Sequence, residues 1–193
     1  VIILGFAGVI LFGALILMLP ISSVQGIITP FHKALFTSTS AVCVTGLAVV
    51  DTGSYWSAFG QTVIMFLIQI GGLGVITTAT AVFILSGRKI SIMQRSTMQN
   101  AISAPKVGGI VQLMSFILKG TLLIELIGAL FMIPVFCHDF GLRGIWMSIF
   151  HSVSAFCNAG FDLLGTKWHP FVSLTSYAVN PVINIVIMLL III

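Results

Sequence analysis

Phe36-Thr-Ser-Thr-Ser-Ala-Val-Cys-Val-Thr-Gly-Leu47 returns without a gap as Phe150-His-Ser-Val-Ser-Ala-Phe-Cys-Asn-Ala-Gly-Phe161. The offset is 114 residues. Phe36/Phe150, Ser38/Ser152, Ser40/Ser154, Ala41/Ala155, Cys43/Cys157 and Gly46/Gly160 coincide. Both copies are rich in small and hydroxyl residues inside an apolar chain. A repeated segment with a fixed glycine marks one structural unit used twice. Each copy reads as a short helix running into a loop. Met18/Met132 and Pro20/Pro134 match at the same offset and carry the repeat upstream.

The 193 residues are 59% hydrophobic and only 6% charged, against roughly 25% charged in soluble domains. A water-soluble domain is excluded. In lipid every backbone polar group must be satisfied internally, which leaves helices or a closed barrel. The long unbroken apolar runs select helices, because barrel strands would alternate over about 10 residues. The expected class is an all-α membrane protein. Val1 and the closing run Val186 to Ile193 make the chain read as a fragment of a longer polypeptide. The first apolar run is too long, and lacks the basic start, for a cleaved signal peptide. Cys43, Cys137 and Cys157 are odd in number and lack metal-type spacing, so no disulfide framework is assigned. The net charge of +4 is no nucleic-acid footprint, because half of the basic residues sit in one short loop.

Outward from the two copies, the spans fall into place. Residues 1–19 are an apolar run of about the length a bilayer requires, ended by Pro20. Thr29-Pro30 predicts a helix start, with Thr as N-cap and Pro at the first position. That helix would run to about Val42, too short to cross and therefore re-entrant. Residues 44–57 return, with Tyr55 and Trp56 suited to the membrane interface. Residues 58–85 form a second span. Its Gln69-Ile-Gly-Gly-Leu-Gly74 is expected to pack closely against the pore elements, as small residues allow in membranes. Arg88, Lys89, Arg95 and Lys106 place the linker 87–109 in the cytoplasm by the positive-inside rule. A third span is expected at 110–136, a second short helix ending near Phe156, a return loop from Asp162 and a fourth span at 176–193. The units are then 1–86 and 110–193, each of the order span, re-entrant helix and loop, span, in a multi-pass chain.

A helix that ends at mid-membrane turns its negative carbonyl end to the centre, which favours a cation. Glycine admits loop angles that other residues avoid. Several such loops around an axis would replace the hydration shell of K+ or Na+ with carbonyl oxygens. The candidate ligands are the backbone carbonyls of Cys43, Val44, Thr45, Gly46 and Leu47, and of Cys157, Asn158, Ala159, Gly160 and Phe161. Asp51 and Asp162 are candidate outer-mouth or structural acids. Glu125, inside the third span, is by default a functional hypothesis, set against a carboxyl that ties a helix bundle together.

Thr45-Gly46-Leu47, Val49-Val50-Asp51-Thr52-Gly53, Gln69 to Gly74, Ser154-Ala155-Phe156 and Asn158-Ala159-Gly160-Phe161 together resemble the membrane subunit of the Ktr/Trk/HKT potassium transporter superfamily. The Asn-Ala-Gly-Phe stretch is most similar to the KtrB branch. The resemblance covers nearly the whole chain. It implies four span–pore-helix–span repeats in one polypeptide, potassium-channel-like with pseudo-fourfold symmetry, of which this chain holds the first two. It implies a filter glycine per repeat, here Gly46 and Gly160, with K+ as the ion and Na+, or Na+-coupled K+ transport, as the alternative. It further implies a homodimer in the lipid of a bacterial cell membrane, on a cytosolic KtrA-like ring of nucleotide-binding subunits, with no organic cofactor in this chain. The family often carries Thr or Asn where this chain has Cys43 and Cys157, and a thiol donates hydrogen bonds weakly.

Two other classes are weighed. His151 beside Ser152 suggests an intramembrane hydrolase, but no acid lies near to orient it and no nucleophile-elbow pattern surrounds it. A purely structural membrane subunit would need no repeated loop. An enzyme needs one asymmetric site, whereas a filter needs similar loops around an axis, so the repeat favours transport and no enzyme.

Overall fold

The computed structural model describes residues 2–74 and 110–193. Among these, regular structure is entirely helical, apart from one isolated antiparallel bridge between Ser23 and Trp56. The order is α1 (Ile2–Met18), a 3-10 turn (Pro20–Ser22), α2 (Phe31–Val42), the single turn α3 (Thr52–Tyr55), α4 (Ala58–Leu73), α5 (Ile110–Phe140), α6 (Arg143–Phe156), a 3-10 turn (Ser173–Tyr177) and α7 (Pro181–Ile192). The far part of the second span and the linker 87–109 lie outside the described residues.

Helix α2 packs on α1 and α4, and α6 packs on α5 and α7. Helices α4 and α6 join the two groups. The core holds Leu17, Val42, Ile68, Phe136, Phe150 and Phe161. Large apolar side chains also face outward, among them Phe12, Phe116, Leu122 and Phe131. That arrangement suits a lipid surround, where outward polar groups would be costly. Helix α5 is long and apolar enough to cross a bilayer.

The short helices begin and end for local reasons. α2 starts one residue later than the sequence suggests. The Pro30 carbonyl accepts from the Lys33 and Ala34 amides at 3.0 and 3.1 Å. Thr29 does not cap; its amide donates to the Met18 carbonyl at 3.2 Å and its hydroxyl accepts from Tyr55 at 3.3 Å. The third span overruns its expected end and carries Pro134 inside α5. It stops at Gly141, φ 59°, whose amide bonds the Cys137 carbonyl at 2.9 Å, a left-handed cap that suits glycine. The last helix starts at Pro181, not at 176. Asn180 caps it, accepting from the Val182 and Ile183 amides at 3.1 and 3.2 Å, and a residue before proline avoids helical angles.

Trp56 also departs from expectation. It is fully buried rather than interfacial. The missing side chain of Gly60 leaves room for its ring, at 3.2 Å from where a Cβ would stand. Tyr177 is buried as well, its hydroxyl donating to Asp139 at 2.6 Å. Trp168 is exposed.

Candidate functional site

The two copies end in the same backbone motif. After α2, the Val44 amide bonds the Ala41 carbonyl at 3.3 Å and the Thr45 amide bonds that of Ser40 at 3.0 Å. After α6, the Asn158 amide bonds Ala155 at 2.9 Å and the Ala159 amide bonds Ser154 at 2.7 Å. This pairing is a Schellman C-cap, and it requires a left-handed residue at the third place past the helix carbonyls. Val44 at φ 55° and Asn158 at φ 56° supply it. Asparagine tolerates that region, whereas a β-branched valine does so only under strain. Two residues on, Gly46 and Gly160 are left-handed again, at φ 71° and 70°.

The caps use the loop amides and leave the loop oxygens. Among the described residues, the carbonyls of 43–47 and 157–160 accept no hydrogen bond. The Phe161 carbonyl accepts from the Ser154 hydroxyl at 2.7 Å. The loops also meet. A Cβ on Gly46 would lie 2.7 Å from the Ala159 carbonyl oxygen and 3.4 Å from the Gly160 Cα. Two loops that the sequence places over a hundred residues apart thus adjoin at Gly46, Ala159 and Gly160.

Hydroxyl groups brace both copies. Ser38 donates to the Ile10 carbonyl at 2.7 Å, and Ser152 to the Glu125 carbonyl at 2.6 Å. Each serine sits where a glycine of the long helix has no side chain, Gly13 and Gly128 respectively. Ser40 and Thr45 hydroxyls pair at 2.9 Å. Gly71 packs on the Val42 backbone and Gly72 on Cys157, so the glycines of α4 do lie against the ends of the two short helices.

The acids are held differently. Asp51 is buried and caps α3, accepting from the Ser54 amide and hydroxyl at 2.8 and 2.6 Å and from the Phe171 amide at 2.8 Å. Gly165 packs directly on its carboxylate. Asp162 accepts from the Leu164 amide at 3.0 Å, and burial raises its pKa from the ordinary aspartate value. Glu125 is buried and accepts from Gln69 Nε2 at 2.9 Å.

Three braces escape a reading by fixed offset. His151 spans its helix and the following loop: Nδ1 donates to the Met147 carbonyl at 2.7 Å and Nε2 accepts from the Leu163 amide at 3.3 Å. Both ring nitrogens are engaged by backbone, which leaves none for a serine nucleophile. Gln61 Nε2 donates to the Trp56 carbonyl at 3.0 Å, while its Oε1 accepts from Trp146 at 2.9 Å. Asn184 does the same before α7, donating to Tyr177, Ala178 and Asn180 carbonyls at 3.0, 3.0 and 2.7 Å. Both amides are the fourth residue of a helix with a polar cap, and that spacing is the signal in the sequence.

Residues 13–193 match the family model of TrkH, described as a cation transport protein. The chain is 48% identical over 162 residues to "Potassium/sodium uptake protein NtpJ" of Enterococcus hirae, covering 83% of this chain and 36% of that protein. It is 44% identical over 185 residues to "Ktr system potassium uptake protein B" of Bacillus subtilis, covering 95% and 40%. It is 37% identical over 174 residues to the protein of the same name in Vibrio alginolyticus, covering 90% and 38%. The chain thus spans about two-fifths of the length of these relatives.

Proposed function

The chain belongs to the TrkH family of cation transport proteins, and from that premise we propose that it forms part of the ion pathway of a K+ uptake system. The observation that carries the reading is the pair of adjoining loops, wound alike and with unbonded carbonyls. Each is the loop of one span–pore-helix–span unit, and each unit's short helix directs its carbonyl end toward the ion. A dehydrating K+ exchanges water for the carbonyls of 43–47 and 157–161 and moves down its gradient. Two loops cannot surround an ion. The remaining ligands come from the further sequence that the longer relatives possess, in a pseudo-fourfold, multi-pass assembly in a bacterial cell membrane.

The name of the Enterococcus relative supports a second reading, transport of Na+ or of both ions. The word "system" in the Bacillus and Vibrio names supports a multi-component assembly. We place a dimer of the membrane subunit on a KtrA-like nucleotide-binding ring within it. Radioactive rubidium and sodium uptake into liposomes holding the complete polypeptide tests the proposal. Gly46→Ser and Gly160→Ser are expected to lower the preference for rubidium over sodium. An unchanged preference in both refutes the filter assignment.

A further inference from the structure

Cys43 and Cys157 hold the same place in the two copies, but their surroundings differ. Cys43 is exposed, and its thiol makes no hydrogen bond among the described residues. The Cys157 thiol reaches α4 and donates to Gln69 Oε1, with 3.9 Å between sulfur and oxygen. One turn along the same helix, Gly72 leaves the space that the sulfur fills; a Cβ there would stand 2.5 Å from it. Shape and polarity therefore converge on one side chain.

The Gln69 amide is itself oriented. Its Nε2 donates to Glu125 Oε1 at 2.9 Å. The amide nitrogen thus faces Glu125 and the amide oxygen faces Cys157. Glu125 is 5% exposed, and its main-chain carbonyl receives Ser152 of α6 at 2.6 Å. An apolar cavity of about 260 Å³ adjoins Gln69 and Glu125, lined also by Met65, Leu122, Ala129 and Val153. Packing leaves the pair free on that side, so the hydrogen bonds decide which way the amide points. The first loop has no counterpart among the described residues.

We propose that Gln69 and Gly72 form a seat for the Cys157 thiol, that Glu125 fixes the seat by orienting the Gln69 amide, and that these three are positioning residues for the second filter loop. The seat ties the start of that loop to two helices, α4 and α5, distant in sequence. Its bearing on ion preference rests on the filter reading above; the seat itself does not.

The test uses the complete polypeptide in liposomes, with two readouts on each variant. One is rubidium-over-sodium preference. The other is the rate of Cys157 alkylation by N-ethylmaleimide, read by peptide mass analysis. Gln69→Leu and Glu125→Leu are expected to raise the alkylation rate by about threefold, the ratio that a weak thiol hydrogen bond of roughly 0.6 kcal/mol holds, and to lower the preference. Glu125→Gln keeps an oxygen that accepts from Gln69 and is expected to match wild type on both. Lower yield with unchanged alkylation and preference in both leucine variants overturns the proposal. So does a Glu125→Gln protein that behaves like Glu125→Leu. Where Glu125→Leu fails to accumulate, Gln69→Leu alone decides. If alkylation responds but Gly160→Ser leaves the preference untouched, the seat stands and the filter reading falls.

Discussion

Gly46 and Gly160 stand at matching places with matching angles, yet alanine should not cost the same at both. Each is left-handed, at φ 71° and 70°, so either substitution carries the penalty of an L-residue there, roughly 1–2 kcal/mol. The spaces differ. At Gly160 the nearest atom to a new Cβ is the Gly46 Cα at 3.6 Å, an ordinary contact. At Gly46 the Ala159 carbonyl oxygen stands at 2.7 Å. It is backbone and belongs to a loop pinned by the Schellman bonds, so it cannot rotate aside. Overpacking of this kind adds about 1–3 kcal/mol. Gly46→Ala is then expected to cost roughly 2–5 kcal/mol in all, and Gly160→Ala only the left-handed share. Thermal unfolding of the complete polypeptide in detergent ranks the two, and rubidium flux in liposomes shows whether the displaced oxygen matters to the ion. Equal destabilisation, or a larger effect at Gly160, would refute the claim that the first loop is packed against the second.

Val44 should yield stability when its left-handed strain is removed. Val44→Asn is expected to gain about 1 kcal/mol, read as a raised unfolding midpoint, because asparagine accepts φ near +55° and valine does not. His151→Phe keeps the ring but orphans the buried Leu163 amide, and is expected to cost about 1–3 kcal/mol in the same assay. Gln61→Leu strips two partners, the Trp56 carbonyl and the Trp146 indole, and is expected to lose a similar amount. Asp162 has a raised pKa, so its charged form is disfavoured on folding. Its favourable contribution is complete below the carboxylate's unfolded pKa and is lost as pH rises through the folded one. Asp162→Asn should therefore be the more stable protein at neutral pH, and melting curves taken toward acid should show the advantage shrinking away.

The sequence exposed the loops because their spacing is rigid. From Phe36 to Thr45 each residue is fixed by a helix turn or a cap bond, and the offset of 114 holds throughout. Farther out it fails on either side. Gly13 and Gly128, which play one role against Ser38 and Ser152, are 115 apart. Gln61 and Asn184, which share another, are 123 apart, because the connection from loop to next helix is longer in the second copy. Comparison at one offset cannot see either pair. Other features were hidden by residue type. Valine argues against the left-handed turn at position 44, so tertiary packing there overrode local preference. Trp56 reads as an interfacial aromatic, but glycine at position 60 leaves room for its ring inside the protein. The glycines of α4 were legible because few reasons other than close approach place Gly71 and Gly72 within an apolar helix.

Alike in backbone, the loops are unequal in support. The second is held by two bonds from its own helix, Ser154 to Phe161 and His151 to Leu163, and by one to α4, Cys157 to Gln69. The first has the hydroxyl pair of Ser40 and Thr45, which is internal to its own cap, and the contact of Gly46 with Ala159. The equivalent of His151 is Thr37, whose buried hydroxyl has no partner among the described residues. A displacement of the second loop must therefore move Ala159 against Gly46 and be felt by the first. A displacement of the first presses Gly46 on Ala159 in turn, because coupling between two sites is reciprocal, but it works against a neighbour with more bonds. Mutations that loosen Ser154, His151 or Cys157 should therefore disturb both sets of carbonyls more than changes at Ser40 or Thr45 do.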